Sequence, residues 1–328
     1  MIEGVENILK EKGKLIEEEI EKVVPKKNGI PNLHDAIWYH MGTGGKRIRP
    51  VLAIMTCEAL NGDVKKVMPF AASCEILHNW LLVHDDIEDG DTVRRDKPAV
   101  WVKYGADHGI NIGDYMSEKV YEMVINSKID TEVKLRLIEE IVETCSKTAE
   151  GQTYEMNFRK NSNPTEKDYM QMIIGKTAWY LTLPMIGGVI VAGKPELVNK
   201  IKEFGMKVGP AFQMVDDLLD LTKGKGRGRI GSDIREGKRS MMAVHCFSKC
   251  GSGDKKSLMA ILDKGRKETT DSDVEFVKNL FERTGSLNYA KSRAKELVEE
   301  SKKITSTMPK DLQKILDQFA DYLIERDT

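Results

Sequence analysis

Residues 81–89 read Leu81-Leu82-Val83-His84-Asp85-Asp86-Ile87-Glu88-Asp89, an acidic cluster closing an apolar run. Four residues separate Asp85 from Asp89, so on a helix the two share one face. The pattern returns at residues 212–220, where Phe212-Gln213-Met214-Val215 leads into Asp216-Asp217-Leu218-Leu219-Asp220. Asp216 and Asp220 share a face in the same way. A carboxylate set in an apolar helix is costly unless a cation compensates it. Two such groups facing one cavity suit magnesium, which accepts a few carboxylates and completes its shell with substrate phosphate oxygens. An acidic run is ordinarily a solvated face. Two copies, each beside residues suited to phosphate, tell against that reading.

Those neighbours lie on both sides of the first cluster. Asp91-Thr92-Val93-Arg94-Arg95 comes directly after it, and planar arginine forks hold phosphate in a way lysine cannot imitate. Upstream, Gly44-Gly45-Lys46-Arg47-Ile48-Arg49-Pro50 packs three cations into a glycine-opened, proline-closed turn, where backbone N–H groups can approach an anion. His78 stands seven residues before Asp85, two helical turns back on the same face. Gln213 takes the analogous place before Asp216. Between the clusters, Gly175-Lys176-Thr177 puts one lysine in an apolar stretch, where it wants an anionic partner.

Helical periodicity dominates the chain, over about 2–24, 50–61, 65–89, 131–157, 166–192, 195–222 and 273–325, and convincing strand alternation is absent. Breaks fall at Asn61-Gly62-Asp63, Asn161 to Pro164, Gly193-Lys194-Pro195 and Gly224 to Gly231, and Thr165-Glu166 reads as a helix start. No linker divides the 328 residues, so one domain, 1–328, is predicted: an all-α helical bundle with a central active-site cavity between inward-facing helices. Lys plus Arg (51) balances Asp plus Glu (52), which argues against a general polyanion binder and against nucleic acid as partner. Five cysteines without a paired framework suit a reducing cytoplasm; His245, Cys246 and Cys250 make only a weak zinc signal. The charged start carries no secretory signal, and the longest apolar stretch, Leu183 to Gly193, is too short to span a bilayer.

Taken in order, Gly-Gly-Lys-Arg-Ile-Arg-Pro, Glu75-Ile76-Leu77-His78, the first aspartate motif with Arg94-Arg95, Gly151-Gln152, Gly175-Lys176-Thr177, Phe212-Gln213 with the second motif, and Gly231-Ser232-Asp233-Ile234 resemble the trans-isoprenyl diphosphate synthases. The resemblance covers about residues 40 to 245. It implies the isoprenoid synthase bundle, a homodimer, and about three magnesium ions per active site bridging the aspartate motifs to an allylic diphosphate. By position it implies Asp85, Asp89 and Asp216 as main metal ligands, with Asp86, Asp217 and Asp220 completing the two motifs. Arg94, Lys176, Thr177, Gln213 and Lys238 would meet the allylic diphosphate. Lys46, Arg49, His78 and Arg95 would form the pocket for isopentenyl diphosphate. In the loop before Gly231, Arg229 stands where the family usually has lysine, and Lys223, Lys225 and Arg227 make that loop unusually basic; a phosphate-covering flap is the expected role. Glu155 stands where the family often has aspartate.

The growing hydrocarbon must extend away from the aspartates, so residues one or two turns before Asp85, Leu81 and Leu77, are expected to line its tunnel. Only the resemblance places Trp80 in that wall. In the family, a bulky aromatic five residues before the first aspartate, without one at the fourth, suggests a product near twenty carbons. Trp80 with Leu81 thus points to geranylgeranyl diphosphate, with farnesyl diphosphate next. A terpene cyclase would normally lack the second Asp-Asp-x-x-Asp motif and the cations of the isopentenyl pocket. An inactive subunit of a hetero-oligomeric synthase tends to lose aspartates or arginines, and both motifs here are whole.

Overall fold

A computed structural model of the protein describes residues 2–27, 29–222 and 229–325. The described residues form α1 (Ile2–Glu21), α2 (His34–Met41), α3 (Ile48–Ala59), α4 (Val64–Glu88), a hairpin of β1 (Val93–Arg94) and β2 (Lys97–Pro98), α5 (Val100–Tyr104), α6 (Ala106–Ile125), α7 (Thr131–Phe158) and α8 (Glu166–Ile173). A π turn at Ile174–Ala178 joins α8 to α9 (Trp179–Val191). Then come α10 (Val198–Asp220), α11 (Ser232–Arg235), α12 (Met241–Lys249), α13 (Ser252–Leu262), α14 (Asp271–Arg283), α15 (Ser286–Thr305) and α16 (Lys310–Glu325). The class is all-α, and the strands are two residues each.

These residues pack into two compact units. One is drawn from 1–144, 181–202 and 308–315, the other from 145–180, 203–307 and 316–328. In the first, α4 is the central helix, packed against α6, α3 and α1. Asp63 caps its start by accepting from Lys65 N at 2.9 Å. Val67, Phe70, Ala71, Cys74, Ile76 and Leu77 are all buried, so α4 is apolar nearly all round, as a core helix must be. Glycines let its neighbours close in. A Cβ on Gly187 would overlap the Phe70 ring, and one on Gly188 would crowd Thr56.

In the second unit, α12 packs against α15 and α8. Thr165 and Thr270 form reciprocal capping boxes with Asp168 and Asp273 at the starts of α8 and α14. Gly151 of α7 meets Gly175 and the Lys176 N–H of the π turn so closely that neither glycine has room for a side chain.

Three sequence expectations change. The helix α6 escaped the periodicity because Gly109 and Gly113 interrupt its apolar face where α4 and α5 press against it. The stretch 273–325 is three helices, broken at Gly285, whose φ is +69°, and at Pro309. The helix containing Leu183 is longer than its apolar stretch. Glu166–Val191 is long and apolar enough to cross a membrane by length and composition, but 72% of its apolar window is buried within the fold, as in a core helix.

Candidate active site

The last turn of α4 carries the first aspartate motif. Asp85 is partly exposed, whereas Asp86 is fully buried and takes Nε of Arg94 at 2.7 Å and its Nη2 more closely still. Asp89 caps the helix and donates its N–H to Asp85 O at 2.8 Å. The chain then turns at Gly90, with φ +67°, and Asp91 N returns to Asp86 O at 2.8 Å. That turn brings buried Asp91 within 3.5 Å of the same guanidinium, and Asp85 is also 3.5 Å away. Arg94, expected from the resemblance to meet diphosphate, is thus wrapped by its own motif and acts as its brace. Asp86 likewise belongs to the brace. Burial pushes its carboxyl up to about 6 against the pull of Arg94. Asp85 is left as the more accessible of the motif's aspartates, with Asp89 buried at the helix end.

Two turns back along α4, His78 lies amid cations. Burial, Arg49, Arg95, His40 and Arg94 hold it well below the ordinary imidazole value, so it is neutral. His40, buried at the end of α2, is pushed down to about 3 by burial and by Arg95, Arg94 and Arg47, and its Nε2 makes no hydrogen bond. Arg95 is lowered to about 10, first by burial and then by the other arginines, with Glu75 opposing.

The glycine-rich turn is shaped by the same side chains. Gly44 and Gly45 have φ near +120°, and Arg47 itself is left-handed at +52°. Arg47 donates to Gly44 O (3.1 Å), Met41 O (2.9 Å), Glu75 Oε1 (3.0 Å) and Glu17 Oε1 (3.2 Å), while Arg95 donates to Gly44 O from the other side. Arg47 is therefore the structural cation of the turn. Lys46 is exposed beside it, on the wall of a cavity of about 460 Å³ that Lys14, Met41 and Gly45 also line. Arg49 is buried in the first turn of α3. The anchors Glu75, His40 and Asp91 had no signal in spacing, since a sequence does not show which acid meets which base.

The second motif closes α10. Asp216 is partly exposed, and its neighbours are held from within. Asp217 accepts from Gln213 Nε2 at 2.8 Å and from Tyr169 OH at 3.2 Å, and Gln213 in turn accepts from Thr177 at 3.1 Å. Asp220 is fully buried; it accepts from the Ser232 hydroxyl and from Asp233 N at 3.0 Å, so it ties α10 to the start of α11. The π turn presents Lys176 toward Glu155 on α7, 2.8 Å away, and Arg159 meets the same carboxylate at 2.7 Å. Burial raises Glu155, but Lys176, Lys238 and Arg159 together outweigh it and hold the carboxyl down at about 2. Lys238 pairs with Glu236 at 2.7 Å and Asp233 at 3.3 Å. π turns interrupt helices often at functional sites, and this one sets a lysine and a threonine where an α-helix would not.

Trp80 and Leu81 are partly exposed and Leu77 is buried. Arg229 is exposed; Lys223, Lys225 and Arg227 lie outside the described residues. Among the described residues no three His, Cys, Asp or Glu side chains converge as a metal cage, which includes His245, Cys246 and Cys250. Asp85 and Asp216 each suit instead a hard cation that takes one or two carboxylates and draws its remaining oxygens from substrate or water.

Comparison with known proteins gives the family. The sequence model of the polyprenyl synthetase family matches residues 30–281. The chain is 35% identical over 288 residues to the short chain isoprenyl diphosphate synthase of Methanothermobacter thermautotrophicus, covering 87% of each protein. It is 34% identical over 304 residues to the geranylgeranyl diphosphate synthase of Methanosarcina mazei, covering 90% of each. The crystal structure of a geranylgeranyl pyrophosphate synthetase from Pyrococcus horikoshii superposes with a TM-score of 0.89 at 35% identity over 99% of both chains. With the family model matching residues 30–281 and relatives 34–35% identical along most of its length, this chain belongs to the polyprenyl synthetase family.

Proposed function

We propose that the protein condenses isopentenyl diphosphate head-to-tail with allylic diphosphates and ends chiefly at geranylgeranyl diphosphate. The observation that carries this reading is the two-ended α4: neutral His78 among arginines at one place, and accessible Asp85 seven residues on. By the resemblance, Asp85, Asp89 and Asp216 would be the magnesium ligands, and the metal would supply the positive charge that makes diphosphate a leaving group. Lys176, Thr177, Gln213 and Lys238 bind the allylic diphosphate, with Glu155 fixing Lys176 so that its ammonium is already oriented. Lys46, Arg49 and Arg95 hold isopentenyl diphosphate, and neutral His78 donates a hydrogen bond there. Their joint grip makes attack of the isopentenyl double bond on the allylic cation effectively intramolecular. The released diphosphate takes the proton that ends the cycle. Arg229 reaches phosphate from the loop before α11.

We take residues 1–328 as a single polyprenyl synthetase domain, since the family match runs through segments of both compact units. Exposed Val102, Ile110, Ile125, Leu135 and Val142 on α5 to α7 support a homodimer. Five free cysteines suit the cytoplasm. The twenty-carbon product rests on Trp80 and on the names of the relatives. Farnesyl diphosphate is the second reading, because Leu81 beside Trp80 leaves the wall's depth to one ring. Purified protein given magnesium, labelled isopentenyl diphosphate and, separately, dimethylallyl, geranyl or farnesyl diphosphate should yield twenty-carbon chains. A fifteen-carbon stop would overturn the length, and no condensation by folded protein would make the chain an inactive subunit.

A further inference from the structure

Trp80 and His84 stand four residues apart on α4 and meet side by side. The indole Nε1 lies 3.3 Å from His84 Nδ1, and the rings cross edge to face at 81° with centroids 6.3 Å apart. An indole N–H can only donate. His84 Nδ1 must therefore accept, which leaves the imidazole proton on Nε2. That nitrogen faces Ile110 O on α6 at 3.2 Å, with Asp114 Oδ1 at 3.9 Å, the acceptors this tautomer needs. Helix α6 is cut away to receive the ring, for a Cβ on Gly113 would overlap His84 Nε2. The imidazole thus links Trp80 to the backbone of α6, and each of its nitrogens is committed to one end of the link.

We infer that His84 is a positioning residue for product length, acting through Trp80. The indole is flat, and its orientation about χ2 decides whether it presents a face or an edge to a chain growing past it. A hydrogen bond from Nε1 fixes that angle, and the bond to Ile110 O fixes the acceptor in turn. Replacing either partner frees the ring to turn aside, and the wall it makes recedes. The inference rests on the proposed reading of Trp80 as that wall.

Two readouts separate the two ideas. The first is the ratio of the next longer product to the main product in His84→Ala, His84→Gln, Trp80→Phe, Trp80→Ala and the double variant Trp80→Phe/His84→Ala. The second is the Trp80 indole N–H resonance in ¹⁵N-labelled protein. His84→Ala and Trp80→Phe should each raise the ratio about three- to tenfold, the range one net hydrogen bond supports. The double variant should do no more than either alone, and His84→Gln, which keeps an acceptor, should restore much of the original ratio. If Trp80→Ala lengthens the product while His84→Ala and Trp80→Phe do not, the wall stands and the clamp is overturned. If Trp80→Ala changes nothing, the wall reading fails and the role of His84 in length falls with it. An indole resonance unmoved by His84→Ala refutes the clamp whatever the products show.

Discussion

Neighbouring aspartates in one motif do opposite work here, and the difference is one of burial. Asp85 and Asp216 keep a path to solvent, while Asp86 and Asp220 are sealed around partners. Asp85→Ala or Asp216→Ala should cut turnover by about a hundredfold or more with the urea midpoint nearly unchanged. Asp86→Ala should instead lower stability by about 3 kcal/mol, because it takes from a buried guanidinium the fully buried carboxylate it is hydrogen-bonded to; a midpoint like that of Asp85→Ala would contradict the brace. Glu155 adds a pH signature. Its folded value near 2 lies below the ordinary 4.5, so the folded state favours the ionised form. The stabilisation is complete above about pH 4.5 and is lost as pH falls through about 2. Glu155→Gln should flatten that part of the acid unfolding curve. It should also weaken allylic diphosphate binding by releasing Lys176.

At the level of elements, close approach between helices does the positioning. Gly151 and Gly175 bring α7 against the π turn, and a Cβ on Gly151 would overlap the Lys176 N–H. Gly151→Ala should therefore cost about 1–3 kcal/mol in denaturant melts and raise KM for the allylic substrate; a neutral result would mean the π turn relaxes freely. The aspartate-bearing helices were legible in the sequence because their carboxylates interrupt apolar runs at helical spacing. The helix α6 was not, since its glycines serve contacts with Ile87, Trp101 and His84 on other helices, which periodicity within α6 does not register. The hairpin β1–β2 is too short for alternation to register. Lys46, Arg49 and Arg95 are picked out by the resemblance of their motifs, not by spacing or composition. That Arg47 and Arg94 would turn inward, toward Glu75 and Asp86, depends on pairings that form only in the folded chain.

For the molecule as a whole, a net charge of −1 conceals strong local separation of charge. Arg47, Arg49, Arg94 and Arg95 crowd one region of the first unit, and burial, with that crowding added, lowers Arg95 to about 10. Anion binding relieves that crowding, so inorganic diphosphate without metal should raise the melting temperature, by the equivalent of about 3 kcal/mol at a hundredfold excess over Kd. The gain should shrink in high salt, and equal stabilisation by chloride would count against a specific site. The π turn carries a different consequence. It is in effect one residue inserted into a helix, and it sets the phase of α9: deleting a residue between Ile174 and Ala178 would rotate that helix by about 100° about its axis. Pro184, Gly187 and Gly188 would then leave the faces they now occupy. This stretch therefore cannot change its length without turning the helix that follows, and among homologues the site should be marked by an unbroken count of residues as faithfully as by Gly175, Lys176 and Thr177 themselves.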